Sequence, residues 1–110
     1  MTEATKHDAA KLPYDLLPSD AVEEIVRVLD FGAGKYGADN WAQGMAWSRP
    51  FAALMRHMWA WWRGEDNDPE SGLSHLAHAG CCVLFLLAYH KRGVGIDNRL
   101  RLNRNNEGAQ

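Results

Sequence analysis

Asp68-Pro69-Glu70-Ser71-Gly72-Leu73-Ser74-His75-Leu76-Ala77-His78-Ala79-Gly80-Cys81-Cys82-Val83-Leu84-Phe85-Leu86-Leu87-Ala88-Tyr89-His90-Lys91-Arg92-Gly93 decides the fold of this 110-residue chain. An aspartate followed by proline reads as a helix cap and first helical position, so the spacing predicts a helix from Asp68-Pro69 to about Lys91. Leu73, Leu76, Ala77, Leu84 and Leu87 fall on one face, and Gly80 shares it. A glycine inside a helix costs about 1 kcal/mol relative to alanine, so a second helix is expected close against that bare backbone. Val83 and Phe85 widen the apolar surface and make the helix central or interfacial. Lys91 and Arg92 complement its C-terminal dipole, and Gly93 suits the cap.

Working back from this stretch, Pro50 suits the first turn of another helix, preceded by Ser48 or Arg49. Phe51, Leu54, Met55, Met58 and Trp62 form its apolar stripe, and Gly64 falls where it loosens or stops. A further helix begins near Ser19 or Asp20, where Asp20 and Glu23 have capping-box spacing. Val22, Ile25, Val26, Leu29 and Ala33 follow the helical rhythm, and Gly32, Gly34 and Gly37 weaken and end it. Residues 38–49 read as a loop. Pro13 and Pro18 break the N-terminal segment, which is expected as an extended arm laying Leu12, Leu16 and Leu17 on the core. After Gly95 the chain turns polar, so residues 96–110 are expected as a flexible tail.

No strand pattern of useful length appears. The predicted class is all-α: a bundle of three main helices with an extended N-terminal arm. A helical chain this short buries a modest core, so completion by a second copy, as homodimer or homotetramer, is expected.

Net charge is −2, which gives no bulk attraction to nucleic acid; Arg99, Arg101 and Arg104 are the one basic patch. Cys81 and Cys82 are adjacent, a poor geometry for a mutual disulfide in a helix, and free thiols fit a reducing cytoplasm. The segment opening at Met1 is polar, and the longest apolar run, Leu76 to Tyr89, is short of the roughly 20 residues that span a bilayer. A soluble cytoplasmic protein without membrane contact is expected.

Four carboxylates (Glu65, Asp66, Asp68 and Glu70) precede His75 and His78, which are three apart and project from one side of the predicted helix. Hard carboxylate oxygens suit Mg²⁺ or Mn²⁺, and imidazole adds a borderline donor. Glu65 and Asp68 share the three-residue spacing. If the helix from Pro50 continued past Gly64, His57, Trp61, Glu65 and Asp68 would share a face, and the next helix would fold back to bring His75 and His78 near them. Arg56 is a candidate phosphate partner, with an ion pair to one of the acids as its alternative. Lys35 and Tyr36 end a glycine-rich segment that lacks phosphate-loop spacing. Asn40 and Trp41 suit a nucleobase, and Trp41 and Trp47 suit the core equally. Trp59, Trp61 and Trp62 read as packing residues.

Four blocks of this sequence resemble the phage family named dATP/dGTP diphosphohydrolase, related to the MazG-like all-α nucleotide pyrophosphatases. They are Lys6-x-Asp8-x-x-Lys11; Phe31-Gly32-Ala33-Gly34-Lys35-Tyr36-Gly37 with Asn40-Trp41; Arg56-His57; and Gly64-Glu65-Asp66-x-Asp68-Pro69-Glu70-Ser71-Gly72-Leu73-x-His75-Leu76-Ala77-His78-Ala79. The resemblance implies a multimeric, Mg²⁺-dependent enzyme, its pyrophosphohydrolase domain at residues 1–95, that cleaves a purine deoxynucleoside triphosphate to monophosphate and pyrophosphate. On this reading Glu65, Asp68, His75 and His78 hold Mg²⁺ or Mn²⁺. Glu65, Asp68 and His57 do the chemistry, with His57 positioning the water or bonding a phosphate oxygen. Arg56, Lys35 and Lys11 neutralise the triphosphate, and Tyr36, Asn40 and Trp41 take the nucleoside. One departure stands out: Glu23-Glu24 is followed by Arg27 where the MazG-like pattern has a third glutamate.

Two other classes fit parts of the chain. A non-catalytic phage protein would present the Trp59-Trp61-Trp62 cluster to a host partner. A histidine-aspartate phosphohydrolase needs an adjacent His-Asp pair, and the one present, His7-Asp8, lies in the predicted arm.

Overall fold

The computed structural model describes residues 2–101 and contains three helices: α1 (Ser19–Tyr36), α2 (Ser48–Trp62) and α3 (His75–Arg92). Short 3-10 turns span Tyr14–Leu16 and Asn40–Gln43. Among the described residues there is no strand, only two isolated bridges, and the fold is the all-α arrangement expected. No helix among them is long and apolar enough to cross a membrane.

The contact between α1 and α3 is centred on small residues, while Trp47 and Tyr89 are buried elsewhere. Val28 of α1 meets Ala77 and Cys81 of α3, with Ile25, Leu29, Leu73 and Phe85 packed around them. Gly80 explains the close approach of α1: a Cβ there would lie 2.8 Å from Ile25 Cδ1, so the glycine seats Ile25 on bare backbone as its position suggested. Many of the large apolar side chains take the other surface. Leu76, Val83, Leu84 and Leu87 of α3 are exposed, as are Phe51, Met55, Met58, Trp59 and Trp62 of α2. The stripes read from the sequence are therefore real helical stripes, but most of their residues face outward. Val26 is likewise exposed, and Val28 points inward in its place.

α3 does not begin at Asp68-Pro69. The Asp68 carboxylate accepts the Ser71 N–H at 3.0 Å and its carbonyl accepts the Gly72 N–H at 2.7 Å, closing a turn with Pro69 as the second residue. That position suits proline as well as a helix start does. Gly72 takes φ +72°, and Asp68 N–H donates to the Leu73 carbonyl. The helix starts later because Ser74 caps it, its Oγ accepting the Leu76 N–H at 3.1 Å.

α2 does not run past Gly64. Glu65 N–H reaches the Ala60 carbonyl and Gly64 N–H the Trp61 carbonyl, with Gly64 at φ +101°. This paired pattern around a left-handed glycine terminates helices and turns the chain back.

At α1 the capping box does not form. Pro18 occupies the cap, Asp20 bonds the next N–H, and Glu23 pairs with Arg27 at 2.8 Å. The helix passes through Gly32 and Gly34, whose cost of about 1 kcal/mol each is too small to end it. It stops at Gly37, where φ reaches +97°.

Both chain ends depart from expectation. Leu12, Leu16 and Leu17 of the arm are exposed rather than laid on the core. Part of the segment after Gly95 is docked instead of loose: Ile96 bridges Ala46, and the Trp47 indole N–H donates to the Val94 carbonyl at 2.8 Å. The Asn98 carboxamide accepts the Ser48 N–H and donates to Ser48 Oγ. The first N–H groups of α2 lack partners within the helix, and Asn98 supplies one. Arg104 and the rest of the expected tail from residue 102 lie outside the described residues.

Candidate functional site

The turn after α2 places Glu65, the turn at Asp68 places that carboxylate, and the Ser74 cap places His75 as the first residue of α3. His75 is 3% exposed. Its backbone N–H bonds the Asp66 carbonyl at 2.9 Å, and its Nε2 lies 2.6 Å from Glu65 Oε1. A carboxylate only accepts, so His75 Nε2 donates and Nδ1 is left to accept. That Nδ1 faces His57 Nδ1, reaching from α2, at 2.9 Å.

One ligand atom each from His57, Asp68 and His75 lies within 4.8 Å of the others. Adjacent ligands on an octahedral ion with bonds of about 2.1 Å sit about 3 Å apart, close to the His57–His75 separation. A divalent cation fits the donor chemistry of this group. Burial works against ionisation of Asp68, yet the Ser71 amide and the His78 and His57 imidazoles hold its carboxyl below the usual range.

Glu65 and His78, both expected as metal ligands, stand behind this group. Glu65 is on the far nitrogen of His75. His78 Nε2 lies 2.7 Å from Ser71 Oγ, and its ring stacks on His57 with centroids 4.5 Å apart and planes 11° apart. Ser71, which the sequence reading passes over, therefore holds both Asp68 and His78; the Asp-x-x-Ser spacing of an Asx-type turn is its signal.

His57, Asp68 and His78 line one wall of an open cleft of about 920 Å³. That is at the upper end of the range for small-molecule sites, roughly 300–1,000 Å³. Lys35, Tyr36, Asn40, Trp41 and Arg56 also line it. Arg56 has no carboxylate within 4.0 Å among the described residues, so its alternative role as an ion-pair partner is not seen. Lys35 instead bonds Glu70 at 2.8 Å, which raises its pKa. Trp41 is both wall and anchor: its indole stacks on Phe85 at 4.7 Å, and its carbonyl accepts the Tyr89 hydroxyl at 2.6 Å. Lys11 does not line the cleft; it lies in the exposed arm with His7 and Asp8. Burial pushes the Cys81 thiol up to about 12, leaving no reactive thiolate.

Burial, aided by neighbouring imidazoles, pulls the pKa of both His57 and His78 below the ordinary 6.5. A histidine with a depressed folded pKa adds stability that is complete above the unfolded value and lost as pH falls through the folded one. The melting temperature is therefore expected to fall between about pH 7.5 and about pH 5, and a His57→Gln/His78→Gln variant to flatten that dependence in thermal melts.

A sequence model of the family described as dATP/dGTP diphosphohydrolase, N-terminal, matches residues 1–99. A protein of Salmonella phage PMBT28 named dATP/dGTP diphosphohydrolase is 40% identical over 81 residues, 74% of this chain. The match spans 28% of that relative's length. No solved structure matches.

Proposed function

The chain belongs to the dATP/dGTP diphosphohydrolase N-terminal family, and from that premise we propose that it hydrolyses purine deoxynucleoside triphosphates to monophosphate and pyrophosphate, using Mg²⁺ or Mn²⁺. The observation that carries this reading is the convergence of His57, Asp68 and buried His75, the first two of them lining a nucleotide-sized cleft that Arg56 also lines. A divalent cation would be held by His57, Asp68 and His75 and would supply Lewis acidity toward a phosphoryl oxygen and activation of a water. Water oxygen bonds the α-phosphorus, the bridge to the β-phosphate breaks, and pyrophosphate leaves. Asp68, held ionised, orients the water, whose proton passes to solvent. With its Nδ1 given to a cation, His57 would carry its proton on Nε2 and present it to a phosphoryl oxygen. Arg56 and Lys35 offset the charge of the leaving pyrophosphate. Tyr36, Asn40 and the exposed edge of Trp41 contact the nucleoside.

The test is incubation with each ribo- and deoxynucleoside triphosphate and either cation, with products separated by chromatography. Pyrophosphate and monophosphate from purine substrates support the reading. Inertness toward every nucleotide, or release of inorganic phosphate alone, overturns it.

The outward-facing stripes support an assembly. Phe51, Met55, Met58, Trp59 and Trp62 of α2 and Leu76, Val83, Leu84 and Leu87 of α3 leave more bulky apolar side chains outside than the core encloses. A second copy offers the same stripes, as a self-complementary interface requires. The protein is expected to be a homodimer or homotetramer. Light scattering on a Leu84→Glu/Leu87→Glu variant is expected to give the 12.4 kDa monomer mass; a monomeric wild type would refute the assembly and favour a different protein as the occupant of that face.

A further inference from the structure

Two of the three clustered donors are imidazole nitrogens, and this bears on which ion the site takes. Mg²⁺ seeks oxygen ligands and gives up water reluctantly, whereas Mn²⁺ and later divalent ions accept imidazole more readily. The nitrogens are also fixed in place. His75 is buried at the first position of α3, bonded through its backbone to Asp66 and through Nε2 to Glu65. Glu65 is set in turn by the helix-ending turn at Gly64. A ring whose far N–H is held by a carboxylate has its near nitrogen free to ligate, the usual support for a metal-binding histidine.

We propose that the His57–Asp68–His75 group selects an imidazole-accepting divalent transition ion, represented by Mn²⁺, over Mg²⁺, and that Glu65 acts as the positioning residue that aims His75 Nδ1 at it. This rests on the metal-dependent reading above and deepens it: Glu65 works behind the ligands rather than among them. A bland alternative is that the Glu65–His75 bond merely ties the loop to the helix. In that case removing it changes stability and leaves ion affinity alone.

The experiment uses the full chain stripped with chelator and then dialysed. Mn²⁺ is titrated and the free ion read by electron paramagnetic resonance, with Mg²⁺ as competitor. Imidazole tautomers in the metal-free protein are read by ¹⁵N NMR. Wild type is expected to bind Mn²⁺ and to keep it against at least about a tenfold excess of Mg²⁺. His75 is expected as the Nε2–H tautomer. Glu65→Ala is expected to lower Mn²⁺ affinity about 10- to 100-fold and to scramble that tautomer, with unchanged circular dichroism. Glu65→Gln, which keeps an acceptor oxygen, is expected to restore most of both.

Displacement of Mn²⁺ by equimolar Mg²⁺ overturns the selectivity while leaving the hydrolase reading intact. Binding of neither ion overturns both. An Nδ1–H tautomer for His75 in wild type, or wild-type affinity in Glu65→Ala, overturns the role of Glu65. Should Glu65→Ala not fold, the wild-type competition and tautomer still decide.

Discussion

Asp68→Asn is expected to cut pyrophosphate release by on the order of 100-fold or more, with helix content unchanged. The amide keeps the side chain's size, and its oxygen still accepts the Ser71 N–H that closes the turn. What disappears is the negative charge among two imidazoles, the one anionic member of the donor group. Asp66→Asn is the internal control. Its carbonyl, not its carboxylate, bonds His75, and its side chain is not part of the group. Initial rates for the two variants, read by a coupled pyrophosphate assay, are expected to separate cleanly. Equal rates would remove Asp68 from the mechanism.

Gly95→Val is expected to be the most damaging single change to the fold, at about 2–5 kcal/mol. Gly95 sits at φ +85°, and a Cβ there runs into the Met45 carbonyl and lies 3.1 Å from Trp47 Nε1. A backbone oxygen cannot swing aside as a flexible side chain does. The bridge between Ala46 and Ile96 would open, and the Trp47–Val94 and Ser48–Asn98 bonds would go with it. Gly34→Ala provides the contrast. That glycine lies inside α1 with nothing within 4 Å of the point where a Cβ would stand, so a gain of up to about 1 kcal/mol is expected. Chemical denaturation of the two variants beside wild type checks both signs.

The helices are legible in the sequence because their residues repeat with helical spacing, and that spacing survives whichever way a stripe faces. Direction is not legible. Leu84 and Leu87 look like core in a single chain, yet Ala77 and Cys81 are the α3 residues buried against Val28 of α1, beside the Gly80 backbone on which Ile25 sits. The start of α3 is ambiguous because Asp-Pro serves a turn as well as a cap; Ser74, directly before the true start, carries the better signal. The gathering of His57, Asp68 and His75 is expected from α2 continuing past Gly64, whereas the structure achieves it through the turns at Gly64 and Asp68. Their separate tasks are not legible, because which nitrogen of His75 faces Glu65 depends on how Gly64 ends α2. The docking of Ile96 and Asn98 is hidden by a polar composition that gives no hint of a long-range partner.

The turn between Asp68 and Leu73 is closed by backbone bonds at both ends, and His75 is locked before any ion arrives. The entropy of arranging the pocket is thus spent when the polypeptide folds, not when substrate lands. On the proposed reading, a cation would then meet donors that are already arranged.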